Sequence, residues 1–269
     1  MKSIRFALAV LFVLVFSALS LSRPTWATPF SNDQSDLWWI PTESGWGIQL
    51  VERGSTIFAT MFIYDANGKP TWYTATMEGS KPGGVLTFTG DLNATTGPWF
   101  GAVPYQPGQV TLTKVGTMTW VKQAGEGGNL TYSVNGVVVT KVGVVRQTTR
   151  NDDYTGPYNA GLHFTNTGCT DPAKNGVTDG SDVLAVTQAG AAITLTLVNI
   201  GCTLSGTYAQ NGQFGTVTGH FACTNGDNGS FTLSNMNVTP QGMLAIFSTT
   251  SAKTGCVSNG QLGGVRNDK

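Results

Sequence analysis

Beyond its first 27 residues the chain shows no apolar pattern of helical period. Short runs either alternate between apolar and polar residues or stay mostly apolar, and clusters of Gly, Asn and Pro separate them. A period of two marks a strand with one buried face. Residues 57–65 form one such run, Asn67-Gly68 follows, and 71–77 form the next. An Asn-Gly pair between two runs predicts a hairpin, because both central residues of the tight turn need positive φ. The same arrangement recurs at 130–134, Asn135-Gly136 and 137–141. Further strands are predicted at 45–53, 84–91, 109–114 and 117–122. The second half adds 158–165, 181–188, 191–199, 202–209, 215–223, 229–235, 243–248 and 261–266.

Short sequential strands joined by tight turns favour meanders, and a meander of eight strands can close and remove its edges. The predicted fold is all-β, with two tandem small antiparallel β-barrels or barrel-like sandwiches of about eight short strands each. One larger two-sheet sandwich is the alternative. The polar run from Arg146 to Asp153 has no periodicity and sets the boundary, which gives domains at 28–148 and 149–269. Both halves close on a similar phrase, Val142-Gly-Val-Val-Arg146 and Gly263-Gly-Val-Arg266, a weak internal echo.

The first 27 residues read differently. Lys2 and Arg5 precede an apolar run from Ala7 to Leu21, and Thr25-Trp26-Ala27 offers small residues at a cleavage point. This is the pattern of a secretory signal peptide, residues 1–27, and it predicts a secreted or periplasmic protein with no membrane span after its removal. Loss of Lys2, Arg5 and Arg23 leaves 12 of the 15 basic residues against 15 acidic ones, a net charge of −3. That balance excludes nucleic acid, which needs a basic face.

The four cysteines fit export, where an even number reads as disulfides. Residues 198–208 and 215–223 fold about a turn at 210–213, which brings Cys202 nearly opposite Cys223 if one residue is bulged. Cys169 and Cys256 then pair by elimination, joining the first and last strands of the second domain. No CxxC or HxxxH spacing suggests zinc. Asp171, Asn175, Asp179 and Asp182 share a Gly-containing stretch, but their spacing does not match a calcium loop, and they read as turn residues. No metal or cofactor is expected.

The chemistry that stands out is aromatic. Trp38, Trp39, Trp46 and Trp72 fall within one short stretch, beside Tyr73 and Glu43, and Trp99 marks a further turn. Such residues are either core or contact surface. Adjacent Trp38 and Trp39 point to opposite faces of an extended strand, so one of them must leave the core. Trp38, Trp39, Glu43, Trp46, Trp72, Tyr73 and Trp99 are therefore the candidate ligand-binding residues. His163 and His220 sit in alternating strands with no nucleophile signature nearby, and no catalytic residue is assigned.

Leu37-Trp-Trp-Ile-Pro-Thr-Glu-Ser-Gly-Trp-Gly-Ile-Gln-Leu and Phe58-Ala-Thr-Met-Phe-Ile-Tyr-Asp-Ala-Asn-Gly-Lys-Pro-Thr-Trp-Tyr resemble a β-domain module recurrent in secreted bacterial proteins. Leu130-Thr-Tyr-Ser-Val-Asn-Gly-Val resembles its closing hairpin. Cys202-Thr-Leu-Ser-Gly-Thr-Tyr-Ala-Gln-Asn-Gly, with the Gly-Gly-Val-Arg ending, resembles the segment that often follows it. The resemblance implies a bacterial exported β protein and carries over no catalytic residues. The functional expectation is a non-catalytic protein that binds a small apolar or carbohydrate-like ligand, or a surface partner, through its aromatic residues. A purely structural envelope protein is the alternative, and a glycoside-type hydrolase using Glu43 with Asp65 or Asp91 is the third.

Overall fold

The computed structural model describes residues 33–123 and 127–267. The expected signal peptide, residues 1–27, lies outside the described residues. Eight strands make a first closed antiparallel barrel: β1 (Asp36–Trp39), β2 (Gly47–Arg53), β3 (Thr56–Tyr64), β4 (Pro70–Ser80), β5 (Thr87–Thr96), β6 (Thr111–Lys122), β7 (Gly127–Val134) and β8 (Val137–Arg146). Eight more make a second: β9 (Gly156–Thr167), β10 (Gly176–Ala189), β11 (Ala192–Leu197), β12 (Cys202–Asn211), β13 (Phe214–Cys223), β14 (Asn228–Thr239), β15 (Gly242–Ser251) and β16 (Val257–Arg266). The protein is all-β. No helix among the described residues is long and apolar enough to cross a membrane.

Each barrel is an up-and-down meander that closes its last strand on its first. Trp38 lies opposite Arg146 where β1 meets β8, and Tyr158 lies opposite Arg266 where β9 meets β16. The internal echo falls on these two closing seams. In each, the terminal arginine lies over the aromatic ring facing it, Arg146 at 4.4 Å from Trp38 and Arg266 at 5.3 Å from Tyr158.

Three details of the strands differ from expectation. The runs predicted at 109–114 and 117–122 fall, from Thr111 on, in one strand, β6, because the chain absorbs an extra residue at Val115 as a bulge, where Leu92 faces Gly116 and Asn93 faces Lys114. The eighth strand of the first barrel is the short β1. The β12–β13 hairpin needs no bulge: its register is unbroken from Asn211 opposite Phe214 to Cys202 opposite Cys223, around Gly212 and Gln213.

The disulfides are Cys202–Cys223 and Cys169–Cys256. The second fastens the connection after β9 to the one before β16, so no disulfide joins the two barrels.

The alternation of strand direction gives each barrel a near end and a far end. At the near ends lie the start of β1, the finish of β8 and the β12–β13 turn, and here the barrels touch. Arg146 is the hub. Its guanidinium donates to Asp36 Oδ2 at 2.9 Å, Ser35 O at 3.0 Å and Asp33 O at 2.6 Å. It is sandwiched between Trp38 of the first barrel and Phe214 of the second, 4.9 Å from the latter ring. Gln213 N–H reaches Asp36 Oδ2 at 2.8 Å, and Gly212 N–H reaches Thr148 Oγ1 at 3.0 Å. Only glycine fits at 212: φ is +59°, and a Cβ there would meet Asp36 Oδ2 at 2.2 Å.

Candidate ligand cavity

The two interiors differ. An eight-stranded barrel is just wide enough to be filled by side chains or to hold one small ligand. The first barrel takes the former course. Trp38 and Trp120 meet edge to face with centroids 4.7 Å apart, above a core of Met61, Met77, Met118, Phe88 and Leu92. Both indoles are satisfied by Gln34, Trp38 Nε1 donating to its backbone oxygen at 2.8 Å and Trp120 Nε1 to its side-chain oxygen at 3.1 Å. Gln34 N in turn donates to the buried Glu52 at 2.6 Å.

The seven aromatic and acidic candidates therefore fall into separate environments. Trp38 is core at the near end. Trp39, one residue on, faces outward opposite Val145, as alternation requires. Glu43, Trp46 and Tyr73 share the far end. Glu43 Oε2 accepts from Lys141 Nζ at 2.5 Å and from Trp46 Nε1 at 3.1 Å, while Lys141 sits 5.2 Å from the Trp46 ring centre. The Lys141 ammonium holds the Glu43 carboxyl below the usual carboxylate range. Tyr73 packs against the core from within, and Trp72 faces out on the same strand, opposite the exposed Phe62. Trp99 stands apart on the β5–β6 loop.

The carboxylates considered for hydrolysis each have a local partner: Glu43 has Lys141, Asp91 has Lys114 at 2.7 Å, and Asp65 binds the Asn67 and Lys69 N–H groups of its own turn. His163 Nδ1 lies 2.6 Å from Asp179 Oδ1 on the outer wall of the second barrel, with both side chains exposed. Asp171 caps Ala173 N, and Asp182 binds the backbone N–H groups of Val183, Asn199 and Ile200. No group of three His, Cys, Asp or Glu suited to a metal occurs among the described residues.

The second barrel is plugged at its near end only. Tyr154, Tyr158, Tyr208, Val217, Met236 and Met243 fill that end. Beyond them the inward positions carry Leu162, Phe164, Leu197, Leu204 and Phe221, which point into the barrel yet stay half-buried. Large apolar side chains turned inward but not enclosed mean that the wall is built and the centre is open. The open space is a cavity of about 310 Å³, floored by Leu184, Leu195, Leu233 and Leu262. Phe164 and Phe247 line one side with ring centres 5.7 Å apart.

The mouth is polar and braced. Cys202, Cys223 and Cys256 line it, so both disulfides hold its rim. Asp227 also lines it, accepting from Ser251 Oγ at 2.6 Å, and Ser258 Oγ bonds Asn166 Oδ1 at 2.6 Å. Asp227 is the one charged residue among the described residues of that lining. An apolar cleft with a few convergent polar groups is the usual make-up of a small-molecule site.

The candidate residues named from the sequence lie in the first barrel, where the tryptophans are dense, and none of them lines this cavity. The signal for the cavity was the run of inward leucines and phenylalanines closest to the cysteines. No protein-family model matches the chain, and comparison with curated proteins and with solved structures finds no match either.

Proposed function

We propose that this is an exported, non-catalytic binding protein whose C-terminal barrel carries one small apolar molecule. The observation that carries this reading is the cavity of about 310 Å³ at the disulfide-braced end. A cavity of about 150 Å³ is enough for benzene, so this one suits two fused rings or a medium-length alkyl chain. Its polar rim selects a ligand with a hydrogen-bond donor at one end, which Asp227 accepts. The disulfides and the signal-peptide pattern support a secreted or periplasmic location.

The test is titration with N-phenyl-1-naphthylamine, a neutral amine bearing a naphthyl and a phenyl ring, whose emission rises in apolar surroundings. Saturable binding at one site per chain is expected. Leu204→Trp, which fills the mouth from the inward face of β12, abolishes it, whereas Trp46→Phe in the first barrel leaves it unchanged. Undiminished binding in a folded Leu204→Trp protein would overturn the reading.

One observation favours a second reading for the first barrel. Phe62 and Trp72 face each other across β3 and β4, about half exposed at 53% and 49%. Two exposed aromatic side chains on neighbouring strands offer ring faces on which a sugar ring stacks. An oligosaccharide panel read by tryptophan emission, with Trp72→Ala as control, tests it, and an unresponsive panel rejects it.

A further inference from the structure

The most exposed apolar side chains among the described residues gather on one loop, the β5–β6 connection at the far end of the first barrel. Val103 is 95% exposed, Phe100 89% and Trp99 69%, with Tyr105 at 53%. Four large apolar or aromatic residues on one connection are not the scattered exposure that any surface shows.

The loop is organised rather than loose. Thr96 and Thr111 bond to each other at its base at 2.5 Å, Ala102 N–H closes a turn on Trp99 O at 2.9 Å, and Val110 N–H closes another on Pro107 O at 3.1 Å. The Trp99 ring lies over Gly101, with its centre 5.5 Å from that of Phe100. Pro98, Pro104 and Pro107 stiffen the backbone further. The apolar side chains are thus held out from the barrel instead of folded back onto it.

The charge pattern identifies what they meet. No Asp, Glu, Lys or Arg occurs from Leu92 to Thr113, so the whole loop and both of its supporting strand ends are uncharged. A site for nucleic acid or for a charged protein face would carry charges of its own. A rigid uncharged loop with Phe and Val at its tip and Trp and Tyr beside them matches a lipid interface, where apolar tips enter the acyl boundary and Trp and Tyr rings sit at the headgroup level. We infer that this loop is a membrane-docking device that inserts Phe100 and Val103 into the surface of a lipid bilayer. The absence of charge makes the contact indifferent to anionic lipid and to salt. It acts at the end of the first barrel away from Asp36 and Arg146, and does not depend on the cavity of the second.

The experiment uses protein beginning at Thr28 and vesicles of pure phosphatidylcholine. Sedimentation with the vesicles is expected, unchanged across a salt titration and not enhanced by phosphatidylglycerol. The double variant Phe100→Ser/Val103→Ser removes only exposed side chains, so it folds, as circular dichroism and an unaltered melting temperature check, and its partitioning falls at least tenfold. Trp emission shifts to the blue on vesicle addition and is quenched by acyl-chain-brominated lipid, and both responses vanish in Trp99→Phe. Absence of binding to phosphatidylcholine overturns the inference. So does binding that survives the double substitution, or binding that appears only with anionic lipid and is lost in salt.

Discussion

Arg146 is the residue on which the join between the barrels depends, and replacing it has a calculable cost. Its side chain is almost wholly buried and donates to one carboxylate and two backbone oxygens. Arg146→Ala leaves the Asp36 carboxylate, itself only 12% exposed, with the N–H groups of Leu37 and Gln213 and no countercharge. Removing one partner of a buried pair costs about 3–5 kcal/mol. Part of that, about 2 kcal/mol, is the loss of the cation from between the Trp38 and Phe214 rings. For a unit of this size the melting temperature falls by on the order of 15–25 °C. The six tryptophans that follow the signal-peptide pattern all lie between residues 38 and 120, so the emission of protein beginning at Thr28 reports the first barrel alone. Arg146→Lys keeps the charge but not the planar fork, and recovers less than half of the loss. Asp36→Asn in the Arg146→Ala background costs little more, because the uncompensated charge is gone. Proteolysis within 147–153 accelerates as the hub is removed. A fall of less than 1 kcal/mol in Arg146→Ala, or additive losses in the double variant, would refute the assignment of Arg146 as the join.

The remaining predictions concern single sites. Burial pushes the Asp182 carboxyl up, but the N–H groups of Asn199, Ile200 and Val183 push it further down, so its folded pKa lies below the ordinary value. Its contribution is therefore complete above about pH 4 and is lost as pH falls through the lowered folded value; Asp182→Asn costs about 1.5–3 kcal/mol at neutral pH and flattens the acid limb of a stability–pH profile. Gly212→Ala places a methyl against Asp36 and Arg146 and separates the melting of the two barrels, as calorimetry would show by a second peak. Lys141→Met removes the ammonium from Glu43 and returns its carboxyl toward the usual range, which a carboxylate-resolved NMR titration measures.

Local pattern revealed the hairpins and not the interiors. Asn67-Gly68 and Asn135-Gly136 signal turns because their chemistry is confined to two residues, and the Cys202–Cys223 pairing follows from counting along one hairpin. Which of Trp38 and Trp39 is core depends on the parity that barrel closure imposes through the Trp38 to Arg146 pairing, more than a hundred residues away in sequence. The bulge at Val115 hid the continuity of β6, since Gly116 reads as a break. Arg146 ends a polar-flanked strand and looks like a solvated boundary residue until Phe214 is brought over it. Its only trace in sequence was the repeated Val-Arg ending. The cavity depends on the summed volumes of inward residues from eight strands, a quantity that no single segment contains.

The disulfides and the cavity occupy the same end of the same barrel. The inward leucines and phenylalanines at that end forgo packing partners across the open space. Cross-links spanning 21 and 87 residues restore about 3 and about 4.5 kcal/mol on the chain-entropy model. The filled first barrel stands without disulfides, and the hollow second one has two. If the cross-links offset the cavity, filling it should substitute for them. Reductant is expected to lower the melting temperature of residues 156–266 and leave the tryptophan-reported transition of the first barrel in place. Leu204→Trp then recovers about 1–2 kcal/mol in the reduced protein, read by calorimetry as a rise in the lower transition. A Leu204→Trp protein that melts lower than its parent when reduced would show that the wall resists filling through strain. The cavity would then be a shape imposed by the strands, not a void the disulfides compensate.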